Sequence, residues 1–216
     1  MTNSVPDIAT SAVKKPLIVH VIRRLQIGGM ENGLVNLINQ LPESHYDHAI
    51  VCLTDATDFR RRITRRGVEI IELNRGQDGQ DPGLYWVLWK LFRRLKPALV
   101  HTRNAATIEA SIAARMAGVP VRVHSEHGWD VDDPDGSNKK RQILRRACKP
   151  FINHFIALSE FQAEYLSKRI GVEPARLTTL CNGVDIERFQ PRRNRDPLPK
   201  KFADQQSIVI GTDGRH

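Results

Sequence analysis

Residues 17–22 read Leu-Ile-Val-His-Val-Ile, an almost wholly apolar and largely β-branched run that predicts a buried strand. Similar short runs recur at 49–53, 68–73, 98–101, 121–124 and 154–158. Segments with apolar residues three and four apart lie between them, at 30–40, 84–95, 105–117 and 159–170. This alternation predicts an α/β domain built on a doubly wound, Rossmann-like parallel sheet with helices on both faces.

Composition limits the classes of protein to consider. The chain has 216 residues, of which 40% are hydrophobic, so it can form one large domain with a real core. Three widely separated cysteines, Cys52, Cys148 and Cys181, favour a reducing cytosol and give no metal-ligand spacing, so we expect no metal site. The polar residues 1–14 predict a disordered tail rather than a signal peptide, and we expect a cytoplasmic protein.

The formal net charge of +9 indicates an anionic partner. Nucleic acid is the first candidate, but the arginine-rich segment 58–67 reads as an ordinary surface helix and no recognition module accompanies it. We therefore expect no nucleic acid among the partners.

The end of the domain is marked by a turn. A strand-like run at 176–180 leads into Asn182-Gly183, a strong two-residue turn signal, and Pro191 follows shortly after. The sequence predicts a domain over 15–191, a linker over 192–206 and the first strand of a truncated second domain over 207–216.

Two motifs carry a family resemblance: Asn182-Gly183-Val184-Asp185 with Phe189-Gln190-Pro191, and Gln26-Ile27-Gly28-Gly29-Met30-Glu31. Together they resemble GT-B-fold glycosyltransferases of family four, closest to the sugar transferases of bacterial exopolysaccharide systems. The resemblance implies the N-terminal, acceptor-side half of a retaining hexosyltransferase. Such an enzyme moves a sugar from a nucleotide donor to a glycan or lipid-linked acceptor, and it uses no cofactor.

In the family a second domain binds most of the donor nucleotide, so the resemblance implies that this chain alone is inactive. Two alternatives stay open. One is a fragment of a GT-B-fold sugar-nucleotide epimerase, and the other is a non-catalytic binding module that keeps only the acceptor half.

Gly28 and Gly29 lie between the first strand and the first helix, where open parallel sheets bind ligands. Paired glycines let a ligand approach the backbone, and the following helix N-terminus offers free N–H groups. A tight turn that merely packs is the alternative. The resemblance implies that this loop, with Glu31, contacts the acceptor or the donor phosphates.

His127 and Gly128 follow the strand at 121–124, again at a carboxyl end. The resemblance implies that this histidine lies beside the reacting sugar, and it makes His127 the candidate catalytic residue. An ordinary loop histidine is the alternative. His101 and His124 read as packing residues of the strands.

Arg103 and Asn104 end the fourth strand. Arg103 could hold an anionic group with its planar fork, and Asn104 could bind substrate or simply cap the next helix. The acidic residues Glu126, Asp130, Asp132, Asp133 and Asp135 lack the spacing of a calcium loop, and we expect a mobile lid there rather than a metal site.

The segment 84–96 mixes tryptophan with basic residues. Its core stripe comprises Leu84, Leu88, Leu91 and Leu95, while another side carries Trp86, Trp89, Lys90 and Arg93. That composition suits a helix lying on an anionic membrane surface, which would be the inner face of the cell membrane, although a solvated basic face is the alternative.

Overall fold

The computed structural model describes residues 15–75, 81–129, 133–183 and 186–187. The chain divides into two units after Asn182, and every element described below belongs to the first. The predicted tail over 1–14, the linker over 192–206 and the strand over 207–216 lie outside the described residues.

A seven-stranded parallel sheet forms the centre of the domain, which confirms the predicted doubly wound α/β fold. The strands lie in the order β3-β2-β1-β4-β5-β6-β7. Their bounds are β1 Leu17–Ile22, β2 Asp47–Cys52, β3 Glu69–Glu72, β4 Leu99–Arg103, β5 Val121–Glu126, β6 His154–Ala157 and β7 Leu177–Thr179.

In the described part of the chain, the α-helices between the strands are α1 Gly29–Gln40, α2 Pro82–Leu95, α3 Ala110–Met116, α4 Lys139–Cys148 and α5 Glu160–Glu164. Side chains cap three of them, because Asp81, Asn138 and Ser159 each accept a hydrogen bond from a backbone N–H of the first turn. After α5 the chain continues as a π-helix over Tyr165–Ile170 and ends at Gly171 in the left-handed region, at φ +77°. The Ser159 cap and the Gly171 stop agree with the sequence pattern.

Two predicted helices differ in the structure. The segment predicted as one helix over 105–117 is a 3-10 turn at Ala105–Thr107 followed by α3, because the Thr107 hydroxyl bonds to the backbone of Arg103 instead. The predicted surface helix over 58–67 is only a 3-10 turn at Asp58–Arg62. Arg65 there is buried and donates to the carbonyls of Leu41 and Tyr46, so it stabilises the domain rather than facing water.

The core has one layer on each face of the sheet. Alternate residues of β1 and β2 point to opposite faces. Ile22, Ile50 and Cys52 pack against α1, whereas Val19, Val21, Ala49 and Val51 pack against α2 and α3. Beyond them Phe155 and Ala157 of β6 pack against the segments around α4 and α5. The helices therefore fix the sheet from both sides and leave its carboxyl edge to carry the polar residues.

Candidate functional site

The order of strands reverses between β1 and β4, where one crossover runs to each side. A crevice opens at such a switch point, at the carboxyl ends of the strands, and ligands of open α/β sheets bind there. The loop after β1 carries Gly28 and Gly29, while Arg103 closes β4 and His127 follows β5 directly. The predicted site residues thus share one edge of the sheet.

Gly28 and Gly29 form the start of α1. Gly28 is extended and provides no side-chain cap, while its carbonyl accepts from the N–H of Asn32 at 2.8 Å. A Cβ built on Gly29 would meet no atom of the chain within 4 Å. The fold therefore does not need glycine at 29 for space, and its absent side chain leaves room beside a helix N-terminus that can bind an anion.

Four side chains on one sheet face form what we name the imidazole cluster: His101, Arg103, Ser125 and His127. Arg103 lies opposite Ser125 in the register of β4 and β5. Its Nη1 lies 2.9 Å from Nε2 of His127, and its Nη2 lies 3.5 Å from Nδ1 of His101. The Ser125 hydroxyl bridges the two rings, 2.9 Å from Nε2 of His101 and 2.7 Å from Nε2 of His127.

The electrostatics of this cluster keep its rings neutral. Burial, the largest cause, and the neighbouring positive charge of Arg103 together lower the pKa of His127 to about 3. Burial and Arg103 also place the pKa of His101 well below its ordinary value. Arg103 is itself only 4% exposed, and burial lowers its pKa to about 10 against the opposing charge of Glu31. One arginine therefore supplies the positive charge of the cluster.

Glu31 lies in the first turn of α1 and is buried. Its charge raises the pKa of Arg103, so it acts as a counter-ion to the cluster from the neighbouring element. The structure thus brings Glu31 and Arg103 into electrostatic contact, which their separation in the sequence does not reveal.

Asn104 joins the ends of β4 and β5. Its side-chain Oδ1 accepts from the backbone N–H of His127 at 2.6 Å, and its own N–H donates to the carbonyl of Ser125 at 2.9 Å. Asn104 adopts φ +57° with ψ 170°, a region that is almost reserved for glycine. It makes no side-chain cap to the following 3-10 turn. Such local strain, held by two bonds around His127, is a frequent feature of functional sites.

A second polar group lies on the opposite sheet face, under α4, and we name it the ion-pair cluster: Thr102, His124, Glu126 and Arg145. Nε of Arg145 donates to Oε1 of Glu126 at 2.7 Å, and Nε2 of His124 lies 3.3 Å from the same oxygen. Burial alone would raise the pKa of Glu126, but its bonds with His124 and Arg145 hold it to about 2.

The expectation of an acidic lid is wrong for Glu126 and Asp133. Glu126 ends β5 and is paired with buried Arg145, and Asp133 is 2% exposed and accepts from the N–H of Asn138. Both carboxylates therefore fix the chain around α4. Asp130 and Asp132 lie outside the described residues.

Gly128 requires its residue type for conformation, because φ +107° lies where side chains are strained. Trp129 follows it and packs edge-on against Tyr165, with ring centroids 4.8 Å apart. Gly136 leaves room for this tryptophan, since a Cβ there would clash with its ring. The segment after His127 is thus anchored on the face of α4 and α5.

The helix α2 presents part of the predicted surface. Trp86 is 57% exposed, stacks on Trp89 with centroids 4.5 Å apart, and lies beneath the Lys90 ammonium at 5.2 Å. Trp89 departs from the expectation, because it is half-buried and packs against the core with the leucine stripe. Arg93 is exposed on the same helix.

Two further findings concern ligands and membranes. Within the described ranges, no group of three His, Cys, Asp or Glu side chains could hold a metal ion. In the same part of the chain, none of the helices combines the length and the apolar character needed to cross a bilayer.

Sequence reasoning did not identify Ser125, Thr107 or Arg145 as part of these arrangements. Ser125 lies two residues before His127. Extending the predicted strand from 124 to Glu126 would have shown Ser125 opposite Arg103. Arg145 lies in the basic segment 139–149, and nothing in that local pattern marks it as buried.

Comparison with known proteins places this geometry in a family. A profile of Glycosyltransferase Family 4 matches residues 27–188. The UDP-Gal:alpha-D-GlcNAc-diphosphoundecaprenol alpha-1,3-galactosyltransferase of Escherichia coli is 28% identical over 223 residues, covering 95% of this chain and 55% of that enzyme. The chain thus spans about half the length of this curated relative.

Solved structures share the fold. HepE of Anabaena, solved with UDP and glucose, matches with a TM-score of 0.61 at 16% identity, over 82% of this chain and 47% of HepE. The UDP-GlcNAc 2-epimerase of Neisseria meningitidis matches with a TM-score of 0.51 at 16% identity, over 77% of this chain and 45% of the epimerase. Both show the architecture alone. The sheet order, the crevice and the match over residues 27–188 together show that the chain belongs to glycosyltransferase family 4.

Proposed function

We propose that this chain is the acceptor-side half of a retaining hexosyltransferase of exopolysaccharide biosynthesis. The intact enzyme transfers a sugar from a nucleotide donor to a glycan or lipid-linked acceptor. The observation that carries the proposal is the meeting of the α1 start, Arg103, Asn104 and His127 at the switch-point edge of the sheet. The Escherichia coli relative, whose name specifies a lipid-linked sugar as acceptor, supports that substrate class.

Each site residue has a proposed role. His127 contacts a hydroxyl of the reacting sugar, with Gly128 giving the turn beside it. Gly28 and Gly29 let a phosphate or hydroxyl approach the start of α1, while Asn104 holds His127 in place. Arg103 and Glu31 act on the substrate indirectly, through their charges and through the hydrogen bonds of the imidazole cluster. The nucleotide sugar is a substrate, no cofactor or metal takes part, and a second domain supplies most of the nucleotide contacts.

The epimerase reading has less support. The observation that favours it is the architecture shared with a UDP-GlcNAc 2-epimerase. At 16% identity that likeness concerns the fold only. A non-catalytic module would bind the acceptor without transferring a sugar to it, even in a longer form of the protein.

A substitution at Gly29 tests the ligand loop. Gly29→Ala meets no atom of the chain, so stability should hold while affinity falls at least several-fold for GlcNAc linked to a short-chain polyprenyl diphosphate. Gly33→Ala is the matched control on the same helix. Its Cβ would lie 3.9 Å from Oδ1 of Asn182, an ordinary contact, and removing a mid-helix glycine should add about 1 kcal/mol to stability without changing affinity.

Calorimetry with the 216-residue chain measures both variants, and the same samples are assayed for transfer with UDP-hexoses. We expect binding without turnover. Sustained transfer by this chain would refute the assignment of half an enzyme, and equal affinities for wild type and Gly29→Ala would refute the ligand loop.

We also propose that the chain is cytoplasmic and associates peripherally with the anionic inner face of the membrane through Trp86, Lys90 and Arg93, with Trp89 supporting the exposed ring. The stacked indoles and the cation beside them support this. Binding to phosphatidylglycerol vesicles should weaken with added salt and with Trp86→Ala, whereas equal binding to neutral vesicles would contradict the proposal.

A further inference from the structure

The imidazole cluster contains one residue whose hydrogen-bonding direction is not in doubt. The guanidinium of Arg103 has only N–H groups, so it donates in every contact that it makes. The ring nitrogens that face it must therefore present lone pairs. These are Nε2 of His127 at 2.9 Å and Nδ1 of His101 at 3.5 Å.

The Ser125 hydroxyl completes the assignment. If its hydrogen pointed to His101, its oxygen lone pair would face the lone pair on Nε2 of His127 across 2.7 Å, which is repulsive. The hydroxyl therefore donates to His127 and accepts from Nε2–H of His101 at 2.9 Å. Each contact then joins one donor to one acceptor, and Nε2 of His127 accepts from both Arg103 and Ser125.

The neutral ring of His127 must then carry its hydrogen on Nδ1. That nitrogen is buried and has no hydrogen-bond partner among the described residues. A buried donor without a partner is destabilising, and a ligand oxygen placed there would satisfy it. His101 has the opposite tautomer, with its hydrogen on Nε2.

We propose that Arg103 is a positioning residue that fixes His127 as the neutral Nδ1–H tautomer, so that His127 offers a hydrogen-bond donor to an uncharged sugar oxygen. Arg103 then turns Nη1 and Nη2 towards histidines rather than towards an anion. A charged phosphate fits the start of α1 instead. The part played in sugar binding rests on the proposed function, whereas the tautomer is a property of the free protein.

Several other groups act on the His127 ring and must be considered with Arg103. His124 and Glu126 of β5 act with opposite signs, since His124 lowers the pKa of His127 and Glu126 raises it. His127 in turn lowers the pKa of His101 on β4, and Glu31 of α1 reaches the cluster through Arg103. Among the described residues, Arg103 alone combines a full charge with a direct bond to the ring.

Long-range proton–nitrogen NMR of the ligand-free chain tests the proposal, because it distinguishes protonated from lone-pair ring nitrogens. His127→Gln and His101→Gln assign the two rings by loss of signal. At pH 7 we expect opposite tautomers, Nδ1–H for His127 and Nε2–H for His101. Wild-type spectra with His127 protonated on Nε2, or on both nitrogens, would overturn the proposal.

Three variants sharpen the test. Arg103→Met should raise the pKa of His127 by more than one unit and allow both tautomers, while Arg66→Met, at an exposed arginine, is the control and should change neither. Ser125→Ala should leave His127 as Nδ1–H, because Arg103 still donates to it. An unchanged His127 in folded Arg103→Met, or a changed tautomer in Ser125→Ala, would overturn the proposal. Since no ligand is present, a failure to bind sugar does not affect this result.

Discussion

The imidazole cluster and the ion-pair cluster lie on opposite faces of the same two strands, yet their polar groups are satisfied differently. On one face Glu126, which only accepts, faces the donors of Arg145 and His124. On the other face Arg103, which only donates, faces two imidazoles that must stay neutral. The first arrangement lies beneath α4, whereas the second lies at the carboxyl edge of the sheet, where Nδ1 of His127 has no hydrogen-bond partner among the described residues.

This difference separates a structural role from a binding role. A buried ion pair holds elements together, and losing either member leaves an uncompensated charge. A cluster that keeps an unused donor at the carboxyl edge of a sheet has a group to offer to a ligand. Burial alone would not distinguish them, because both clusters are largely buried.

The largest expected effect is a loss of folding stability in mild acid, which distinguishes the two faces of the sheet. His20, His48, His101 and His127 all lie on the face of the imidazole cluster, and burial, the largest cause for each, lowers their pKa values. Below pH 6.5 the unfolded chain binds protons that the folded chain does not, so stability falls as the pH falls from 6.5 towards the folded pKa values. Each ring costs about 1.4 kcal/mol per pH unit in that window.

Urea unfolding between pH 7 and pH 5 measures this loss. His48→Gln should reduce the slope by about one proton, and the exposed His45→Gln is the control. The ion-pair cluster has a different window, because Glu126 has a pKa of about 2 and adds to the loss only when the pH falls below about 4.5. Stability that stays constant from pH 7 to pH 5 would contradict the neutral histidines.

The second prediction breaks the ion pair. Arg145→Met leaves the Glu126 carboxylate buried without its main partner and should lower the free energy of unfolding by about 3–5 kcal/mol. The double variant Glu126→Gln with Arg145→Met should lose less, because no uncompensated charge remains.

Urea unfolding of Glu126→Gln, Arg145→Met and the double variant gives the coupling energy between these two residues. Additive losses would show that Glu126 and Arg145 act independently, against the 2.7 Å bond between them. The His127 tautomer should be unchanged in all three, since the pair lies on the other face.

The smallest effect concerns the link between the strands. Asn104→Gly removes the bond to the His127 N–H but also relieves the unfavourable backbone at φ +57°, so these terms offset and stability should change by less than about 1 kcal/mol. Hydrogen exchange of the His127 amide should nevertheless accelerate at least tenfold. Unchanged exchange would mean that Asn104 does not hold His127.

The strands β4 and β5 extend beyond the apolar runs that predict them. The runs at 98–101 and 121–124 mark the apolar parts of β4 and β5, but the strands continue through Arg103 and Glu126. The polar ends are stabilised by pairing across the sheet, with Arg103 opposite Ser125, and no local apolar pattern reports such pairing. Arg103 and Ser125 of the imidazole cluster therefore lie on strand residues that the apolar periodicity omits.

The sequence by itself determined the alternating elements and the parallel sheet, and it placed Gly28, Gly29 and His127 just after strands. Those properties follow from apolar periodicity and turn residues, which act over a few positions. Only the tertiary structure decided that Arg145 is buried rather than solvated, and that Arg103 faces two histidines. Burial and charge pairing depend on residues far apart in the chain, so a charged residue's role is fixed by the element that packs over it.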